Sequence, residues 1–322
     1  EAGADALHVT AGHYRSRPNA HRMIPPMADP DATLLHFAAD VKQAIHVPVI
    51  AVGRLGDPAT ATAAVESGKA DFIALGRTLV ADPQWVNKLR SGEPIRRCLA
   101  CNTCVDGMRS GAGISCVVNG EAGREAMFAD AKPPQGERIA VIGAGPAGLT
   151  YASLVADGNS VTVFEKAGRP GGSFRFAGLA PMFQEVPANP ESLERYIKDM
   201  VAACTRHGVR FRVLADVIDN PELLAPFDRI VVATGASYPY GLGPWAMALL
   251  DLGAGGWPGV SELLSEPKLR DWFYYRARKP TARDFTRLAK PGQIVTVIGD
   301  AGKPGKSKEA IASAFEAALL GK

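Results

Sequence analysis

Residues 138–148 read RIAVIGAGPAG, a short apolar run that leads directly into three glycines at the spacing G-x-G-x-x-G. A helix-forming stretch follows at 149–156, and a second apolar run at 160–164 ends in Glu165. In a dinucleotide-binding unit the same parts occur in this order, with the pyrophosphate at the helix N-terminus and the acid on the ribose hydroxyls. The stretch therefore predicts an α/β fold with a Rossmann-like parallel sheet.

Later glycines extend this predicted dinucleotide site. A glycine turn includes Gly172, a further strand ends at Gly235, and the last strand ends at Gly299-Asp300, where the acid would lie by the ribityl or pyrophosphate part of a flavin. The phosphate-binding turn suits FAD and ADP equally, so both stay open. The candidate contact residues are Gly143, Gly145, Pro146, Ala147, Gly148, Glu165, Gly172, Gly235, Gly299 and Asp300. A P-loop at 302–307 is excluded, because Asp300 stands where that motif needs a glycine.

Four cysteines precede the dinucleotide motif in the array C-x2-C-x2-C-x11-C, formed by Cys98, Cys101, Cys104 and Cys116. Three thiolates at two-residue gaps can surround one side of a cubane cluster while a more distant fourth completes the ligand set. Structural zinc more often takes separated cysteine pairs or a cysteine–histidine mixture. We therefore predict a [4Fe-4S] cluster, with zinc, disulfides or free thiols as the alternatives. The fifth cysteine, Cys204, has apolar neighbours and is expected in the core.

The first 95 residues alternate short apolar runs with helix-forming stretches, at 6–10, 34–45, 47–52, 59–67, 72–75 and 83–89. This alternation predicts parallel βα units, in which ligands bind at the carboxyl ends of the strands. Two of those ends carry Gly53-Arg54 and Gly76-Arg77. Glycine lets the backbone approach a phosphate and arginine binds it bidentately, so the pairs predict a phosphate site. The alternative is two turn glycines followed by solvated arginines.

Composition sets limits on domains and partners. With 322 residues the chain can form two or three domains. We divide it into the barrel segment (1–95), the cysteine loop (96–130) and the dinucleotide domain (131–322). The net charge of +3 is small and its basic residues are scattered, so neither nucleic acid nor a membrane is expected as a partner. We expect a soluble, cytoplasmic homo-oligomer. Because the sequence opens at Glu1 inside a strand-and-loop unit, we expect it to be a fragment.

Taken together, these parts resemble the iron–sulfur flavoenzymes of the old yellow enzyme class, the group that contains trimethylamine dehydrogenase and 2,4-dienoyl-CoA reductase. The matching stretches are VGRLGDP at 52–58, ALGRTLVADP at 74–83, CLACNTC at 98–104, and the dinucleotide motif with Glu165-Lys166. The resemblance implies the last three βα units of an FMN-binding (β/α)8 barrel, a 4Fe-4S loop and an FAD- or ADP-binding domain in which Lys166 also contacts the ligand. With five units missing, FMN binding by this chain alone is expected to be weak.

The resemblance also suggests a function. Relatives that use NADPH carry a second dinucleotide motif between the strands ending at Gly235 and Gly299, whereas here a shortened insert at about 236–292 has none. We therefore expect oxidation of a small substrate, such as N-demethylation of a methylated amine or imino acid, with electrons passing to an electron-transfer flavoprotein. The alternatives are an NAD(P)H-dependent enoate or dienoyl-CoA reductase and a non-catalytic electron-transfer piece of a split enzyme. His13 is the candidate general acid or base, although Tyr14 could take the same place.

Overall fold

The structure is a computed structural model that describes residues 3–13, 15, 19–238 and 242–321. Barrel segment and cysteine loop contain β1 (Leu7–Val9), α1 (Leu35–Ala44), β2 (Val49–Ala51), α2 (Pro58–Glu66), β3 (Phe72–Ile73), α3 (Arg77–Ala81), α4 (Trp85–Ser91), α5 (Thr103–Arg109) and α6 (Glu125–Phe128). The dinucleotide domain contains β4 (Arg138–Ile142), α7 (Pro146–Val155), β5 (Ser160–Glu165), α8 (Phe174–Ala177), β6 (Met182–Phe183), β7 (Val186–Pro187), α9 (Pro190–Arg206), β8 (Arg210–Val213), β9 (Arg229–Val232), β10 (Ala236–Ser237), α10 (Leu242–Asp251), α11 (Val260–Ser265), α12 (Pro267–Tyr275), β11 (Lys279–Pro280), α13 (Ala282–Thr286), β12 (Ile294–Val297) and α14 (Ser307–Leu320).

The barrel segment forms a three-stranded parallel sheet in the order β1-β2-β3. Small apolar residues from strands and helices fill the space behind it, among them Ala38, Val49 and Ala64. Asp57 begins α2, because its carboxylate accepts the amide hydrogen of Thr60 at 2.9 Å while proline occupies the first helical position. The predicted parallel βα arrangement is confirmed. The parallel pairing brings the carboxyl ends of β2 and β3 to one edge.

The dinucleotide domain contains a five-stranded sheet in the order β12-β9-β4-β5-β8, with every neighbouring pair parallel. The central strands β4 and β9 are apolar along most of their length and buried, as expected for strands covered on both faces. Helix α7 begins at Pro146, three residues before the predicted helix, since proline is favoured in the first turn. The predicted Rossmann-like sheet is confirmed.

The cysteine loop packs against both neighbouring parts. Leu99 and Val117 of this loop belong to the same buried cluster as Tyr151 of α7, Phe315 of α14 and Met27 of the barrel segment. The cluster is continuous, so the positions of the cysteines are fixed relative to both sheets.

The insert between β9 and β12 has a different character. Its described residues form the antiparallel pair β10–β11 and the helices α10 to α13, without a parallel βα unit. The described residues also include no helix that is long and apolar enough to span a bilayer.

Close packing of the glycine turn against its helix leads to a test of the fold. A Cβ at Gly148 would lie 2.0 Å from the carbonyl oxygen of Gly143, so an alanine there must push two backbone segments apart. Gly148→Ala should lower the free energy of unfolding by about 2 kcal/mol or more, measured by urea denaturation. Gly256→Ala is the control, because a Cβ there meets no described atom within 4 Å. Equal stability of the two variants would contradict the packing.

Candidate functional site

A cavity of about 310 Å³ lies at the carboxyl ends of β2 and β3. Gly53, Arg54, Gly76 and Arg77 all border it, so the structure brings together the two predicted Gly-Arg pairs. Residues 97–100 of the cysteine loop close one side. Helix α9 of the dinucleotide domain closes another.

Arg54 has the environment of an anion-binding side chain. It is 9% exposed, and its guanidinium donates to Asp31 at 2.7 Å and to the carbonyl of Pro26 at 3.2 Å. Its buried Nε finds no acceptor among the described residues. A Cβ at Gly76 would also meet no described atom within 4 Å, so the backbone there is open to a ligand. An unpaired buried donor beside open backbone fits a phosphate oxygen.

The charges around the cavity are predominantly positive. Its lining includes four arginines and two aspartates, namely Arg54, Arg77, Arg97, Arg195, Asp31 and Asp57. Arg77 donates to the neutral amide oxygen of Asn102, so its charge has no acid beside it in that contact. The lining therefore suits an anionic group.

The four cysteines of the array border a second, smaller cavity. The loop turns around it with Ala100 and Asn102 at φ values of 51° and 59°, a left-handed backbone that non-glycine residues seldom adopt. The amide of Ala100 donates to Cys98 Sγ at 3.3 Å, and Thr103 Oγ1 lies 3.4 Å from Cys101 Sγ. Hydrogen bonds of this kind accompany sulfur ligands of metals.

Burial affects the thiols strongly. Together with a smaller effect of negative charge on Cys98, it raises the pKa of Cys101 to about 11 and that of Cys116 to about 12. Burial also raises the pKa of Cys104, which Arg77 opposes. Buried thiolates are unfavourable without a compensating positive charge, and a metal centre bound by the four sulfurs would supply one.

Two structural findings bear on the alternatives. All five cysteines are free, and the described residues contain no group of three or more cysteine, histidine or acidic side chains placed to hold a metal ion. A cubane cluster separates its ligands by its own width, whereas one zinc ion draws four sulfurs to about 2.3 Å. The [4Fe-4S] cluster therefore stays a prediction from the cysteine spacing.

The two cavities share a border. Arg77, Cys98 and Leu99 contact both of them. A group bound by the cysteines would thus be separated from a group bound at the strand ends by one layer of side chains and backbone.

The dinucleotide turn is tightly built. Gly143 has φ +102°, and a Cβ there would lie 2.5 Å from the carbonyl oxygen of Ala233. Gly145 is open, with no described atom within 4 Å of a Cβ, whereas a Cβ on Gly172 would lie 3.2 Å from the Gly145 Cα. Glu165 is buried and accepts the amide hydrogens of Ala144 and Ala167 at 2.9 and 2.8 Å. It therefore braces the turn and keeps a second acceptor position on each oxygen.

The other predicted contact residues differ in accessibility. Pro146 and Ala147 begin α7, and Lys166 is exposed next to Glu165. The carbonyl of Gly235 accepts from Thr281, and the amide of Gly299 donates to Ser313.

Asp300 is enclosed by the insert. Its carboxylate accepts from Arg278 at 2.6 Å and from the amide of Gly305 at 3.1 Å. Burial raises the pKa of Asp300, and Arg278 opposes that shift. Arg278 itself is buried and also donates to the carbonyls of Tyr274 and Gly305. Arg278 was not predicted from the sequence, although a buried strand-end acid generally requires a cation.

His13 does not join the cavity. It is exposed, and its Nδ1 accepts the amide hydrogen of Arg15 at 3.1 Å. Tyr14, the alternative, lies outside the described residues. The catalytic role of His13 therefore stays a prediction. The sequence analysis also missed Ser192 and Arg195, which border the cavity from α9.

Comparison with known proteins agrees with this architecture. Residues 4–95 match the model of the NADH:flavin oxidoreductase / NADH oxidase family, and residues 141–183 match an NAD(P)-binding Rossmann-like domain. Residues 4–95 are a segment of the NADH:flavin oxidoreductase family. The resemblance to the iron–sulfur flavoenzymes of the old yellow enzyme class is thereby confirmed at the level of family and fold.

The relatives of this chain include proteins named as reductases and proteins named as demethylases. A metal reductase of Desulforamulus reducens is 37% identical over 73% of this chain and 35% of its own length. An NADH oxidase of Thermoanaerobacter brockii is 34% identical over 73% of this chain and 36% of its own length. A probable N-methylproline demethylase of Rhizobium meliloti is 30% identical over 72% of this chain and 34% of its own length. The chain thus spans about a third of the length of these relatives.

Two solved structures have a fold similar to that of this chain. A 2-naphthoyl-CoA reductase superposes with a TM-score of 0.77 at 19% identity, over 98% of this chain and 60% of that one. Histamine dehydrogenase from Rhizobium sp. 4-9 superposes with a TM-score of 0.74 at 18% identity, over 98% of this chain and 60% of that one.

The enclosed pair of Arg278 and Asp300 gives a pH-dependent test. Arg278→Met leaves the Asp300 carboxylate buried without its cation, which should cost about 3 kcal/mol in free energy of unfolding at neutral pH. The change raises the folded-state pKa of Asp300 further above 3.8, its ordinary value, so the folded variant binds a proton more readily than the unfolded chain. Its stability should therefore recover as pH falls from about 8 to about 5, measured by urea denaturation.

The double variant Arg278→Met with Asp300→Asn is the matched control. It has no buried carboxylate to protonate, so its deficit should be smaller and nearly independent of pH. A deficit of the single variant that grows on acidification would contradict the account.

Proposed function

We propose that this chain is the flavin-phosphate, iron–sulfur and dinucleotide-binding part of a flavin-dependent oxidoreductase. The observation that carries the proposal is the common border of the two cavities, formed by Arg77, Cys98 and Leu99. When bound there, FMN takes two electrons from an organic substrate and a [4Fe-4S] cluster transfers electrons singly.

The strand-end residues would hold the flavin phosphate. Arg54 would offer its unpaired Nε to the anion, Arg77 would supply a second positive charge, and the open backbone at Gly76 would permit close approach, while Gly53 borders the same cavity.

Cys98, Cys101, Cys104 and Cys116 would hold the cluster through deprotonated sulfurs. Leu99, Val117 and Val118 are buried beside them and exclude water from that cavity. The charge of Arg77, which already opposes the raised pKa of Cys104, favours thiolate there.

The glycine turn would hold the diphosphate of a nucleotide. Gly145 leaves space at the start of α7, and Glu165 retains acceptor positions for ribose hydroxyls. Asp300 is already paired with Arg278 but, like Glu165, keeps a second acceptor position on each oxygen. The turn would therefore hold either FAD or ADP, which share the diphosphate and the ribose.

We infer oxidation as the reaction: a methylated amine or imino acid loses two electrons in N-demethylation, and an electron-transfer flavoprotein accepts them. Two observations support this direction. The described part of the insert has no parallel βα unit for a second dinucleotide, and relatives include a protein named probable N-methylproline demethylase and one named N,N-dimethylglycine/sarcosine dehydrogenase of Chromohalobacter salexigens.

A reductase is the second candidate. Residues 141–183 match an NAD(P)-binding domain, and other relatives are named cinnamate reductase and bilirubin reductase. In this case NAD(P)H would supply electrons to reduce the double bond of an enoate or related substrate.

An anaerobic absorbance titration separates these candidates. Bleaching of the visible absorbance of the protein by small N-methylated amines or imino acids, but not by NADPH, is the expected result. Bleaching by NADPH alone would contradict the direction and favour the reductase. Iron–sulfur absorbance that neither compound bleaches would favour a non-catalytic electron-transfer piece.

The cluster ligands can be tested separately. Cys116→Ser should lose most of the iron–sulfur visible absorbance of anaerobically purified protein, because a buried serine hydroxyl stays protonated and is a poor iron ligand. Cys204→Ser is the matched control, since Cys204 is buried in the core and its Sγ donates to the carbonyl of Leu149, a contact that serine preserves. Equal absorbance in both variants would exclude Cys116 as a ligand.

A further inference from the structure

Helix α9 carries charged side chains from the dinucleotide domain to the flavin cavity. Asn189 caps the helix by accepting the amide hydrogen of Ser192 at 3.0 Å, and the Nδ2 of the same residue donates to the carbonyl of Met27 at 3.1 Å. The first turn of α9 is therefore attached to the barrel segment. Ser192 and Arg195 from this part of the helix border the cavity.

Arg195 and Arg54 share one carboxylate. Arg54 Nη2 lies 2.7 Å from Asp31 Oδ1, and Arg195 Nη1 lies 3.2 Å from Asp31 Oδ2. Arg195 also contacts Glu191 one turn earlier on α9 at 3.1 Å, but that acid is 81% exposed, so its attraction is screened by water. Two guanidiniums are thus held side by side by a single small anion, although they come from different domains.

The charges leave room for an additional anion. Arg97 is matched by two acids, Asp57 and Asp199. Of the other arginines in the lining, Arg77 faces a neutral amide, while Arg54 and Arg195 share Asp31. Among the residues that line the cavity, four arginines face two aspartates, because Asp199 and Glu191 lie outside the lining, and this excess of positive charge suits a phosphate monoester.

We propose that Arg195 is a direct ligand of the flavin phosphate and that the dinucleotide domain thereby completes the FMN site. The proposal rests on the proposed function, since it takes the cavity to bind FMN. Phosphate binding would then join α9 to the strand ends through Arg195 and Arg54 on the same group. Because Ile197 of α9 lies 2.9 Å from a Cβ built on Gly171 of the dinucleotide turn, the same helix contacts both nucleotide sites.

A comparison of FMN with riboflavin tests the proposal, because the two flavins differ only in the phosphate. The dissociation constant of each would be measured by flavin fluorescence for the full chain and for Arg195→Ala, Arg195→Lys and Arg54→Ala. Lys198→Ala is the matched control, since Lys198 lies on the same helix, is 72% exposed and pairs with Glu194 one turn earlier. Inorganic phosphate added as a competitor shows whether the free anion occupies the same place.

Arg195→Ala should weaken FMN binding about tenfold and leave riboflavin binding unchanged, as expected for the loss of one charge-assisted phosphate contact. Arg195→Lys should retain part of the preference, and Lys198→Ala all of it. Inorganic phosphate should compete with FMN for binding to the wild-type protein. This competition should weaken in Arg195→Ala.

Two results would overturn the proposal while leaving the flavin site intact. In the first, Arg54→Ala loses the preference for FMN but Arg195→Ala keeps it. In the second, Arg195→Ala weakens the binding of FMN and riboflavin equally, which indicates a structural role. If the wild-type chain shows no preference for FMN over riboflavin, the proposed phosphate site itself is wrong and this inference fails with it.

Discussion

Arg97 stands immediately before the first cysteine of the array and forms ion pairs with Asp57, at the start of α2, and with Asp199, in α9. Burial raises the pKa of Asp199, and Arg97 opposes that shift. At Asp57 burial also acts to raise the pKa, but hydrogen bonds from Thr60 and Arg97 leave it below its ordinary value. One guanidinium thus joins barrel segment, cysteine loop and dinucleotide domain where the two cavities meet. Cys98, the next residue, borders both cavities, and we infer that the two ion pairs of Arg97 hold it there.

The two cavities favour bound groups of opposite charge. At the strand ends, arginines outnumber acids and a buried donor is unpaired, so an anion lowers the cost of holding like charges together. In the cysteine loop, burial and mutual repulsion disfavour thiolates, so a positively charged centre would compensate the negative sulfurs. Arg77 borders both cavities. Each site therefore favours a bound group of opposite charge.

Local patterns were sufficient to predict much of this arrangement. The glycine turn at 143–148 and the pairs Gly53-Arg54 and Gly76-Arg77 each need only neighbouring residues and a parallel sheet. Arg195 could not be found in this way, because its partner Asp31 is 164 residues away in sequence and no spacing rule connects them. Arg278 was missed for a similar reason, since an insert of irregular helices supplies it. His13 follows a predicted strand, but the loop leaves it exposed.

We propose that four cysteines hold an iron–sulfur cluster directly beside a flavin site. Iron, zinc and acid-labile sulfide per chain, measured on anaerobically purified protein, test it most directly. The account predicts about four iron and about four sulfide per chain, with no stoichiometric zinc. One zinc per chain without sulfide, or protein without metal whose cysteines are fully reactive, would contradict it.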